Sequence, residues 1–109
     1  MIEVTIYEKN NEIVAFEISG HANSGPYGYD LVCAAVSAVS FGAVNAVFEL
    51  CHIDLEIDQA GEGGYLAVTI PKIYTSQEKQ KAQLIFESMV VSLQTIEREY
   101  NQFIQIKRK

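Results

Sequence analysis

Cysteine is scarce in this chain: Cys33 and Cys51 are the only two among 109 residues. That count excludes a scaffold held by several disulfides. With no charged and apolar leader at the start, it points to a reducing compartment, so the cytoplasm is the expected setting. A bridge between the two is not expected either. Both fall on one predicted helix and would stand roughly 27 Å apart at about 1.5 Å per residue. Histidine is equally sparse, with His21 and His52 only. The paired ligand spacing of a zinc site is missing, as are a Cys-x-x-Cys redox pair and a Gly-rich phosphate loop ending in lysine. No metal and no cofactor is expected.

Positive charge is also in short supply, with 8 Lys and Arg against 14 Asp and Glu and a formal charge of -6. The basic cluster is confined to Lys107, Arg108 and Lys109. Direct nucleic-acid binding is therefore disfavoured. The acidic balance suits a basic protein partner through electrostatic steering, and ordinary solubility accounts for it equally well. What the chain does have is an ordinary globular mixture, 49% hydrophobic and 20% charged, in a length that fits one domain over residues 1–109. A core this small invites a subunit interface as a supplement, so oligomerisation is expected.

Residues 2–8 alternate, with Ile2, Val4 and Ile6 opposite Glu3, Thr5 and Tyr7, the pattern of a half-buried strand. After Asn10-Asn11, a turn signal, residues 13–19 repeat it, and the two strands should pair as a hairpin. Residues 20–29 are punctuated by Gly20, Gly25, Pro26 and Gly28 and read as a loop. Asp30 then precedes eighteen residues, Leu31 to Phe48, without a charge. That length would suffice for a membrane span. Interruption by Ser37, Ser40 and Asn45 and dilution by alanine favour instead a central helix buried on most sides, starting at the Asp30 cap, and no membrane association. Residues 53–58 alternate again as a strand, Gly61 to Gly64 turn the chain, and Leu66, Val68 and Ile70 form the returning strand before Pro71. Thr75 and Glu78 have capping-box spacing ahead of a helix carrying Ala82, Ile85, Met89, Leu93, Ile96 and Tyr100. A last strand over Phe103–Lys107 completes the order ββαββαβ. The fold class is α+β, a two-layer sandwich of a small, mostly antiparallel sheet and two helices.

Two residues could carry chemistry. Cys33 lies in the first turn of the predicted helix, where the helix dipole favours a thiolate; the plainer alternative is a small buried apolar residue, which is also the reading of Cys51. His21 precedes the glycine-rich loop, so folding can bring imidazole and thiol together as a nucleophile and base, with first-turn N–H groups near Cys33 to stabilise an oxyanion. His52 lies far from this motif and has no role beyond its junction. Asp30 is open to two readings, a helix cap or a carboxylate that orients His21, and it would oppose a thiolate at Cys33. Ser37, one turn beyond Cys33, either lines the pocket or simply packs.

The segments Gly20-His21-Ala22 and Gly28-Tyr29-Asp30-Leu31-Val32-Cys33-Ala34-Ala35-Val36-Ser37 resemble the signature of the bacterial ribosomal-processing cysteine protease family, Prp. The likeness continues through Phe41-Gly42-Ala43-Val44-Asn45-Ala46 and Ser92-Leu93-Gln94-Thr95-Ile96-Glu97, and so spans essentially the whole chain. It implies Cys33 and His21 as the catalytic pair, Asp30 and Ser37 as supporting positions, and a mobile substrate-covering segment from Ala22 through Gly25, Pro26, Tyr27 and Gly28 to Tyr29. It also implies a homodimer. The substrate implied is the precursor of the basic large-subunit ribosomal protein twenty-seven, whose N-terminal extension ends in Phe-Phe-Ala before a small residue. Asn23-Ser24-Gly25-Pro26-Tyr27 departs in composition from common members, and Leu31 stands where isoleucine is frequent.

Beside this enzyme reading stand two others. One is a non-catalytic module that escorts a ribosomal protein or an assembly intermediate. The other is hydrolysis of a small thioester or amide by the same pair.

Overall fold

The computed structural model describes residues 1–22, 30–61, 63–72 and 74–109. Five strands and two helices follow in the order β1 (Ile2–Lys9), β2 (Glu12–Ser19), α1 (Leu31–Cys51), β3 (Glu56–Gln59), β4 (Tyr65–Thr69), α2 (Ser76–Glu99) and β5 (Ile104–Arg108). The expected ββαββαβ sequence of elements is what the chain forms. The strands make one sheet in the order β3-β4-β2-β1-β5.

The β1–β2 hairpin forms because its turn has residues able to adopt left-handed backbone, with Asn10 at φ 54° and Asn11 at φ 64°, as a two-residue primed turn requires. Its register sets Val4 opposite Ile18 and Ile6 opposite Phe16. These side chains all point to one face, and Ile2, Val4, Ile6, Phe16 and Ile18 are buried there. They join Val32, Val36 and Val47 of α1 and Phe86, Met89, Val90 and Leu93 of α2 in a common core. The rings of Phe16 and Phe86 meet edge to face at 5.3 Å and 66°. β5 lies parallel to β1, pairing Ile2 with Ile104 and Val4 with Ile106; the other three strand pairs are antiparallel. Arg108 of β5 clamps Glu8 of β1 at 2.6 Å and Glu87 of α2 at 3.1 Å.

Both helix starts are as the sequence suggests. Thr75 and Glu78 form a reciprocal capping box at α2, and the Asp30 carboxylate accepts the Cys33 N–H at 3.0 Å at α1. Three expectations need correction. The third strand begins at Glu56 and not at 53, because His52 ends α1 in left-handed backbone at φ 55° and the next residues cross to the sheet edge. There Ile53 is buried and Tyr74 Oη, not a strand partner, bonds the Asp54 N–H at 2.9 Å. Secondly, α1 is not buried on most sides. Val32, Val36, Val44 and Val47 face the core, whereas Phe41 and Phe48 on the outer side are 38% and 57% exposed, since each helix in a two-layer fold has one sheet-facing side. By length and composition α1 would qualify to cross a membrane; its inner face belongs instead to the core shared with α2 and the sheet. Thirdly, Tyr100 ends α2 as its exposed C-cap instead of joining its apolar stripe.

Candidate active site

The end of β2, the start of α1 and the β3–β4 turn converge on a cleft of about 250 Å³. Its walls include His21, Cys33, Ser37, Ser40, Phe41, Gly64 and Tyr65. Of the residues singled out from sequence, His21, Cys33 and Ser37 therefore share one cavity, and Asp30 reaches it through Cys33.

Each is placed by backbone geometry. Strand β2 ends at Ser19, and Gly20 turns sharply at φ 93°, delivering His21 to the surface at the cleft edge. Ala22 is buried, at 4% exposure, and its N–H donates to the Cys33 Sγ at 3.3 Å. It serves as a floor beside the thiol. Gly25, Pro26, Tyr27, Gly28 and Tyr29 lie outside the described residues. Asp30 caps α1, and Ser37 is exposed one turn beyond Cys33 on the cleft side. Ser40 is buried and returns its hydroxyl proton to the Val36 carbonyl at 2.8 Å, a helix-internal bond that leaves it part of the wall.

The electrostatics at Cys33 differ from the sequence expectation. Its thiol is pushed above the ordinary value, first by burial, against the pull of the Ala22 N–H, and further by the hydrogen bond and charge of Asp30; the N-terminal ammonium pulls weakly the other way. The helix start does not prevail over burial of the sulfur, to which a carboxylate cap close by adds. The same cap changes the oxyanion reading. The Cys33 N–H is engaged by the Asp30 carboxylate and the Ala34 N–H by the Asp30 carbonyl at 3.0 Å, so these two first-turn donors are occupied. Cys51, buried at the far end of α1, is likewise raised by desolvation. Both thiols are free.

A consequence is measurable. Iodoacetamide should label Cys33 faster than Cys51, because Cys51 is only 2% exposed and Cys33 opens to the cleft. The pH midpoint for Cys33 should lie above that of an unstructured cysteine peptide. Asp30→Asn keeps a good cap and removes the charge that opposes the thiolate, so it should move that midpoint down; an unmoved midpoint would mean Asp30 does not act on the sulfur.

The sequence did not single out Phe41, Tyr65 or Gly64 as cleft residues. Gly61 to Gly64 reads only as a turn, and nothing local says that this turn lands on His21, 43 positions earlier in the chain.

A half-exposed thiol and an imidazole opening into one cleft on a two-layer α+β frame are the equipment of a thiol hydrolase, and comparison with known proteins agrees with that class. The family model described as Cysteine protease Prp matches residues 1–105. The ribosomal processing cysteine protease Prp of Bacillus subtilis is 45% identical over 107 residues, covering 97% of this chain and 96% of the relative. Two crystal structures of the ribosomal processing protease Prp from S. aureus cover both chains fully. The one with a covalently linked product peptide aligns at 39% identity and a TM-score of 0.91, and the one with a substrate peptide at 38% and 0.84. The protein is a cysteine protease. It belongs to the Prp family, which sets aside the non-catalytic escort module.

Proposed function

We propose that the chain removes the N-terminal extension of the precursor of large-subunit ribosomal protein twenty-seven, with Cys33 as nucleophile and His21 as general base. The observation that carries this is the shared cleft. Cys33 and His21 reach it from different elements, and the Ala22 N–H directed at Sγ stabilises the sulfur as charge develops there. A thiol raised above its ordinary value is largely protonated near neutral pH. It therefore needs a base at the moment of attack.

In this mechanism His21 accepts the thiol proton as sulfur attacks the scissile carbonyl carbon. The tetrahedral adduct collapses, the C–N bond breaks, and the imidazolium returns the proton to the leaving amine. Water, deprotonated by His21, then attacks the thioester and releases the acid and the free thiol. Asp30 holds the first turn of α1, and with it Cys33, in place; Ser37 stands at the rim. The relatives act in ribosomal processing and one binds a substrate peptide, which supports a ribosomal precursor over a small thioester or amide. The net charge of -6 would favour encounter with a basic substrate. The cleft walls Phe41 and Tyr65 offer aromatic surface to an apolar Phe-Phe-Ala segment.

The test is mass spectrometry of a peptide spanning Phe-Phe-Ala-Ser and its basic flank. A single cut after alanine is expected with the wild type and none with His21→Ala; cleavage that survives His21→Ala would remove the histidine from the mechanism.

We also propose that the protein acts in the cytoplasm as a homodimer. Exposed Phe48 on the outer face of α1 supplies an apolar surface for a second copy. Light scattering should return twice the chain mass, and Phe48→Glu should return it once; a monomeric wild type would remove the dimer.

A further inference from the structure

The walls of the cleft that holds Cys33 include the turn between β3 and β4, and this turn meets the imidazole at Gly64. A Cβ built on Gly64 would stand 2.6 Å from His21 Nε2 and 3.1 Å from Cε1, well inside the 3.5–4.0 Å or so at which non-bonded atoms rest. The ring thus occupies the space that any other residue would fill with its side chain. A second contact ties the same two segments together: the Gly20 N–H donates to the Gly64 carbonyl at 2.8 Å. The residue preceding His21 is hydrogen-bonded to the residue beneath its ring.

Resting on the assignment of His21 as general base, we propose that Gly64 is a positioning residue: its missing side chain sets the seat of the His21 imidazole in the cleft. His21 is an exposed side chain, so a methyl group at position 64 moves the ring and not the sheet. The effect is then on catalysis. A natural control lies next door. Gly63 has nearly the same left-handed backbone, φ 82° against 79°, yet nothing lies within 4 Å of a Cβ placed there. Gly63→Ala reports the strain of left-handed backbone alone, and Gly64→Ala adds the collision with the ring.

The experiment compares wild type, Gly63→Ala, Gly64→Ala and His21→Ala on the peptide described above, reading kcat, KM, the pH profile of kcat/KM and Tm. The two glycine variants should lose Tm alike. Gly64→Ala should lose about 100-fold in kcat beyond Gly63→Ala, the scale for a catalytic group displaced by about 1 Å, with KM changed by less than about 2-fold. Equal kcat for the two glycine variants, with His21→Ala inactive, would overturn the proposal and leave the base assignment standing. An active His21→Ala would overturn the base assignment and the proposal with it. Should Gly64→Ala not fold, the wild type still decides: a nuclear Overhauser cross-peak between Gly64 Hα and the His21 ring protons is expected, and its absence would overturn the proposal.

Discussion

Cys33→Ser is expected to lower cleavage of the Phe-Phe-Ala-Ser peptide by at least about 10⁴-fold, the scale seen when a hydrolase loses its nucleophile, while peptide affinity stays within about 3-fold of wild type. The substitution exchanges sulfur for oxygen at nearly constant volume, and a hydroxyl can still accept the Ala22 N–H that now reaches Sγ at 3.3 Å. The cleft should survive. What changes is ionisation. The thiol is already raised by burial and by Asp30, and a hydroxyl in the same place starts several units higher, beyond what one imidazole can deprotonate without a site built for it. Isothermal titration with the intact peptide separates binding from chemistry. Cleavage at wild-type rate would remove Cys33 as the nucleophile; loss of binding together with cleavage would make the residue structural.

The second large effect is on folding. Gly20→Ala should destabilise the protein by about 3 kcal/mol, which for a chain of this length lowers Tm by about 13 °C. Two penalties coincide at this position. The backbone stands at φ 93°, and a Cβ would collide with the Met1 carbonyl oxygen, a main-chain atom at the entry to β1 that cannot swing aside as a side chain would. The strand that must shift is an interior one, paired with β2 on one side and β5 on the other. Gly61→Ala is the reference, since its Cβ meets nothing within 4 Å, and it should lie within about 0.5 kcal/mol of wild type. A Gly20→Ala melt no lower than that of Gly61→Ala would show that the chain entering β1 is pliant.

Much of this molecule was legible in its sequence, and the parts that were not have a common cause. The hairpin, both helix caps and the alternation that buries Ile2, Val4 and Ile6 follow from residues within a few positions of one another. So does the placing of Cys33 on the first turn of α1. The start of β3 was misread because Ile53 and Leu55 alternate as a strand would, while the left-handed His52 and the bond from Tyr74 to Asp54 are decided by where α1 must deliver the chain. The outer face of α1 reads as core by composition because a run without charge does not say which side is covered. The thiol was expected to be lowered because the helix dipole is a local feature, whereas the desolvation that raises it is a property of the packed site. Gly64 under His21 depends on two turns meeting across the sheet, and the parallel place of β5 depends on the whole chain having gone round. No window of sequence contains either.

The pairing of β5 with β1 also orders events in time. Ile2 bonds Phe103, and Lys109 closes against Ile6 and Glu8, so the flank of β1 away from β2 stays open until the last few residues of this sequence have been synthesised. While translation proceeds, the nascent chain presents Ile2, Val4 and Ile6 along an unsealed strand, the kind of border that invites pairing with a neighbouring polypeptide. Contacts between residues about a hundred positions apart carry a high loop-closure cost and slow folding. The cleft that holds Cys33 and His21 borders this same strand at Ile2. Its assembly therefore waits on β5, and a ribosome that has not yet synthesised Ile104–Arg108 carries an unfinished protease.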